Sequence, residues 1–155
     1  MSNEFIKAEV KRIIEDKNLE APLNHVMAAS WIIGNFKGIN LKVLDLRKNS
    51  TITDYFVLGS ASNPTQMSAM AEEISAQMRE LGLEALSREG LKQSTDWVLL
   101  DYGDFIVHVF SEPARTIYDL DHLYKDAISI EIPESYYFSS LESGFVNSKD
   151  DKNYF

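Results

Sequence analysis

Residues 97–110 read WVLLDYGDFIVHVF, two apolar runs joined by Asp101-Tyr102-Gly103-Asp104. Runs this short, bounded by a turn signal, suit strands better than helices. Tyr102-Gly103 can serve as a two-residue hairpin loop, since glycine tolerates the positive φ of tight turns. That loop predicts a register in which Asp101 faces Asp104, Leu100 faces Phe105, Val98 faces Val107 and Trp97 faces His108. Side chains then sort by parity. Val98, Leu100, Phe105, Val107 and Val109 share one side. Trp97, Leu99, Ile106, His108 and Phe110 share the other, ending in the aspartate pair. With both sides largely apolar, the hairpin belongs inside a sheet covered by helices.

Two features exceed what a structural hairpin needs. Like charges directly opposite each other are destabilising, so the aspartates either flank a solvated turn or form a landing point for a basic partner. His108, on an apolar strand beside Trp97, is either a hydrogen-bonded core residue or part of a site.

The chain of 155 residues carries 24 acids against 15 bases, a formal net charge of -9, and no cysteine. This length suits one domain, burying roughly 68–70% of its unfolded surface. Without cysteine there is no disulfide framework, thiolate metal site or cysteine nucleophile, which leans towards a reducing compartment. No apolar run approaches a membrane span, and the acid-bearing N-terminus, MSNEFIKAEVKRIIEDKN, matches neither a secretory signal nor a transit peptide. The expectations are a cytoplasmic protein with no membrane partner. Negative charge repels phosphate, so free nucleic acid is a poor ligand and a basic surface a better one.

Along the chain, residues 3–17 predict an amphipathic helix through Phe5, Ile6, Val10, Ile13 and Ile14. A second helix follows Pro22 to about Phe36, with Val26, Ala29, Ser30 and Ile33 as its packing stripe and Gly38 as its stop. Residues 41–46 alternate as a strand, and residues 54–60 form a second, antiparallel to it. Pro64 opens a helix to about Leu81, buried through Met67, Met70, Ile74 and Met78. Residues 84–87 predict a short strand. After the hairpin, residues 115–127 predict one helix, with Ile117, Leu120 and Leu123/Tyr124 on one side. The sum is a single α/β domain with a mixed sheet of about five strands and helices on it. Residues 1–21 form an N-terminal helical extension, 22–127 the α/β domain, and 128–155 an extended tail rich in serine and aromatic residues, part of which docks on the domain or on a partner.

No catalytic set assembles. His25, His108 and His122 lack ligand spacing, and neither a nucleophile elbow nor a Walker loop is present. A strand ending in Gly59-Ser60 resembles the opening of nucleotidyltransferases, which place two carboxylates on the next strand to hold magnesium. Here Glu72 and Glu73 are adjacent in a helix and diverge. Asp119 and Asp121 stand two apart in an expected helix and do not face each other. The reading is therefore no enzyme, no cofactor and no metal site, with a magnesium-dependent nucleotidyltransferase-like enzyme or a generic protein-binding module as the alternatives.

Several motifs recur in a telling order: Asp54-Tyr55-Phe56-Val57; Glu89-Gly90; the run from Trp97 to Asp104 followed by Val107-His108-Val109-Phe110; then Arg115 and Tyr118-Asp119-Leu120. Together, across residues 23–127, they closely resemble the ribosomal silencing factor (RsfS) or Iojap-like family. The resemblance implies an α/β fold of nucleotidyltransferase-like topology without the active site. It implies a partner, the large ribosomal subunit through ribosomal protein uL14, and a role: blocking association with the small subunit and so repressing translation. On this reading Glu89, Asp101 and Asp104 supply charge, and Trp97 and Tyr102 supply contact area. His108, Arg115, Tyr118 and Asp119 complete the pattern, with Arg115 placed either in an internal ion pair or at the interface. Departures fall at Asp121 and Tyr124, where the family has glutamate and tryptophan, and at Pro64-Thr65, ahead of Gln66, where it often has arginine. A sheet edge or the aromatic tail leaves a homodimer off the ribosome open.

Overall fold

A computed structural model of the chain describes residues 3–91 and 95–137. In chain order the elements are α1 (Asn3–Ile14), α2 (Leu23–Asn35), β1 (Ile39–Asp45), β2 (Tyr55–Ala61), α3 (Pro64–Glu80), β3 (Ser87–Glu89), β4 (Trp97–Asp101), β5 (Phe105–Ser111), α4 (Glu112–Tyr118), α5 (Leu120–Leu123) and β6 (Ile128–Ile130). A single 3-10 turn at Glu134–Tyr136 follows.

The strands form one mixed sheet in the order β3-β4-β5-β2-β1-β6. β5 runs parallel to β2, and every other neighbouring pair is antiparallel. The parallel pair needs a long crossover, which α3, β3 and β4 supply. The sheet has six strands rather than about five. The extra one is β6, at the start of the stretch read as an extended tail; Ile130 pairs with Val43 and Ile128 with Asp45. Its three residues carry too short a pattern to be recognised before β1 provides a partner. Beyond it, Ile132 and Tyr136 are buried against the core of the α2 side, and the Tyr136 carbonyl sits where a Cβ on Gly34 would have to go. Residues 138–155 of the expected tail lie outside the described residues.

One sheet face packs against α2 and α3, with Met67, Met70, Ile74 and Met78 of α3 fully buried, as their helical spacing requires. α2 is buried nearly all round from Val26 to Asn35. An apolar helix of that kind needs cover on its outer side too, and α1 provides it through Ile6, Val10 and Ile13. Trp31 is buried there, its ring 5.9 Å from Phe5.

The opposite face carries a smaller core of Leu44, Leu46, Phe56, Leu58, Ile106 and Phe110, covered by Ala114 of α4 and Leu120 of α5. The single helix expected over residues 115–127 is two short ones. Asp119 takes a left-handed conformation, φ 49°, ending α4 and capping α5 by accepting from the His122 amide. Aspartate is one of the few side chains that visits that region. The break rotates the apolar stripe out of line: Leu120 stays buried, whereas Ile117 is 74% and Leu123 68% exposed.

The central hairpin turns two residues later in pairing than Tyr102-Gly103 predicts. Asp101 faces Ile106, Leu99 faces His108 and Trp97 faces Phe110. The Tyr102 amide donates to the Phe105 carbonyl at 2.9 Å, leaving Gly103-Asp104 as the loop, with Gly103 at φ 89°. A first loop residue at positive φ is the turn geometry that matches strand twist. Because the shift is even, both sides keep the side chains their parity assigned.

Candidate partner-binding face

The register fixes which side chains share the thinly covered face, because directly paired residues point the same way. One row runs Glu89, Leu99, His108, Leu58 and Lys42 from β3 across to β1. A second runs Ser87, Asp101, Ile106, Phe56 and Leu44, and a third Trp97, Phe110 and Ser60. The β3–β4 edge of this face therefore presents two carboxylates, Glu89 and Asp101, and its middle is aromatic. Tyr118, at the end of α4, lies against Trp97 with ring centroids 4.7 Å apart, and Trp97 lies 4.9 Å from Phe110. Tyr118 is 52% exposed and Trp97 half-buried, so the pair forms a shelf that reaches solvent. Ile117 and Leu123 are exposed too, on α4 and α5, the helices that cover this face. Exposed aromatic and aliphatic groups of this kind make the face a candidate binding surface.

Gly90 belongs to the construction of this edge. It sits at φ 78°, and a Cβ there would run into the Trp97 carbonyl. Only glycine lets β3 lead into β4 so closely.

His108 lies beneath the shelf at 3% exposure. The Trp97 indole Nε1–H donates to His108 Nδ1 at 3.1 Å, which places the imidazole proton on Nε2. That Nε2 is buried without a partner. Burial, with a smaller push from the Arg115 charge, lowers the His108 pKa to about 3, so the ring is neutral. Its edge-on neighbour is Phe56, centroids 4.5 Å apart.

Arg115 is an internal residue, 8% exposed, and belongs to the interior ion pair of the two placements open to it. Its Nε and Nη2 donate to Asp121 at 2.7 and 3.1 Å, and Nη1 donates to Ser60 Oγ at 3.0 Å. Lys42 Nζ adds a bond to the same Asp121 carboxylate at 3.2 Å. These donors, with the Arg115 hydrogen bonds foremost, hold Asp121 below the usual carboxylate range. The aspartate that departs from the family pattern is thus the anchor that ties α5 to α4 and β1.

The candidate residues separate into groups. Trp97, His108 and Tyr118 come together, with Asp101 and Glu89 on the same face. Asp101 does not oppose Asp104: its Oδ1 accepts from the Gly103 amide at 2.8 Å and holds the turn. Asp104 is exposed at the loop tip, and its charge acts on His25 of α2, on the other side of the sheet. Tyr102 also belongs to that side, stacked on Phe105 at 5.0 Å. Asp119 is the exposed link between α4 and α5, and Arg115 lies beneath them. Ile117 and Leu123 were missed as surface residues. The signal that could have exposed them was Asp119, a residue tolerant of left-handed backbone in the middle of an apparent helix.

Residues 19–153 match the sequence pattern of the family described as "Ribosomal silencing factor during starvation". The chain belongs to that family. It is 33% identical over 132 residues to the ribosomal silencing factor RsfS of Halalkalibacterium halodurans, covering 85% of this chain and 96% of that protein. It is 36% identical over 88 residues to RsfS of Bacillus subtilis, covering 57% of this chain and 74% of the relative. A crystal structure of a Bacillus halodurans protein superimposes with a TM-score of 0.59 at 30% identity, covering 67% of this chain and 93% of that one. The family acts in translation regulation, and its members are regulatory factors rather than known enzymes.

Proposed function

We propose that this chain represses translation in the cytoplasm by binding the large ribosomal subunit through ribosomal protein uL14 and standing where the small subunit must dock. The observation that carries the reading is the Trp97–Tyr118 shelf, flanked by Glu89 and Asp101 on the same sheet face. Trp and Tyr are favoured interface anchors, and the carboxylates at the edge steer a basic protein surface while repelling bare RNA. The net charge of -9 acts in the same direction. Family membership supplies the ribosome as the class of partner.

The inhibition follows from bulk. A domain built on one six-stranded sheet occupies space at the contact zone of the subunits, and no turnover is required. The nucleotidyltransferase alternative is disfavoured by the groups it would need. Ser60 is fully buried and accepts from Arg115, Asp121 is tied to Arg115 and Lys42, and Asp119 caps α5.

Light scattering of mixed ribosomal subunits tests the proposal. A molar excess of the chain is expected to suppress the rise that accompanies subunit joining. Joining at an undiminished rate and extent would overturn it.

A further inference from the structure

The histidine under the shelf is an odd choice for a packed interior. Phenylalanine at position 108 would fill the same flat space against Phe56, Trp97 and Phe110 and leave no polar atom behind. The imidazole instead strands its Nε2–H in the core, an arrangement that native interiors rarely tolerate without a reason. What the imidazole offers over a phenyl ring is Nδ1, the acceptor 3.1 Å from the Trp97 indole nitrogen. The bond crosses β4 and β5 diagonally, since Trp97 pairs with Phe110 and His108 with Leu99. It ties down the one indole that reaches solvent on this face, in the orientation that stacks on Tyr118.

We infer that His108 is a positioning residue for partner binding, fixing the Trp97 indole through Nδ1 so that the Trp97–Tyr118 shelf is already ordered when the partner arrives. This rests on the shelf being the docking surface proposed above. Ordering an anchor in advance removes part of the entropy lost on association. His108 itself touches no partner.

Two substitutions separate positioning from packing. His108→Phe keeps the flat ring and removes both the acceptor and the stranded donor. His108→Asn places its Oδ1 where Nδ1 stood but loses ring volume. If His108 only packs, affinity follows stability, and the phenylalanine variant binds as the parent does. If it positions Trp97, affinity follows the acceptor. The readouts use the full chain: urea unfolding, the indole N–H resonance of Trp97 (assigned with Trp31→Phe), and affinity for purified large ribosomal subunits. The expected result is a His108→Phe variant at least as stable as the parent, with a displaced Trp97 indole resonance and affinity about five- to tenfold weaker, the scale of one lost hydrogen bond. His108→Asn, though less stable, is expected to keep affinity within about twofold. Should His108→Phe fail to fold, His108→Leu takes its place. Unchanged affinity and an unmoved indole resonance in the acceptor-free variant overturn the inference. If the parent chain binds no large subunit, the docking surface is wrong, and the indole resonance still decides whether His108 orients Trp97.

Discussion

His108 is neutral in the folded chain and becomes an ordinary histidine when the chain unfolds, and that difference is a stability term. With a folded pKa of about 3 and an unfolded value near 6.5, the unfolded state binds the extra proton throughout that window. Stability is complete above about pH 6.5 and falls as pH drops, with a limiting slope of about 1.4 kcal/mol per pH unit. Urea unfolding at pH 7 and pH 5 should show a loss of about 2 kcal/mol from this group, and His108→Phe should abolish most of it. An equal pH dependence in parent and variant would contradict the assignment. The Arg115–Asp121 pair gives a second prediction. Asp121→Ala leaves a buried guanidinium without its carboxylate. The expected loss is about 2 kcal/mol, at the low end for a broken pair because Asp121 still reaches water; chemical denaturation measures it. Both partners lie close along the chain, so each role was already one of the alternatives open to the sequence; burial, which only the assembled layers set, decides between them.

The hairpin shows how an element can be right in kind while its turn is misplaced. Glycine placed the loop to within a residue, and the period of two assigned the faces correctly because the true register differs by an even step. The imagined aspartate repulsion vanished with that step. The last helix went the other way. Its apolar spacing of three and four is genuine, but the left-handed Asp119 breaks it, and the exposed Ile117 and Leu123 are the consequence. Asp119→Ala should lose both the side-chain cap and the tolerance for positive φ, costing about 1–2 kcal/mol. Asp119→Gly should cost only a few tenths of a kcal/mol, since glycine accepts the same backbone. Thermal unfolding of the two variants distinguishes a built break from an incidental one: equal losses would contradict it. β6 was hidden for a simpler reason, being three residues long and defined only by pairing with β1.

At the scale of the whole molecule, the sheet divides the labour. The side covered by α1, α2 and α3 holds the main core, and the side under α4 and α5 is left thin enough to present Trp97 and Tyr118. The sequence motifs made the family legible, because their order survives without coordinates. The face did not become legible until the register placed Glu89, Asp101 and Trp97 together and sent Tyr102 and Asp104 elsewhere. Charge should govern the approach and the shelf the hold. Glu89→Lys with Asp101→Lys is expected to slow association with large subunits and flatten its salt dependence, with less effect on dissociation. Cosedimentation of the chain with separated ribosomal subunits asks whether the Trp97–Tyr118 shelf holds the large subunit, using Trp97→Ala with Tyr118→Ala as the test and Lys11→Ala, exposed on α1, as the control. The parent and the control are expected to travel with the large subunit alone and the double variant to stay at the top of the gradient; recovery of the double variant with the large subunit, or of the parent with neither subunit, would rule out the shelf as the docking surface.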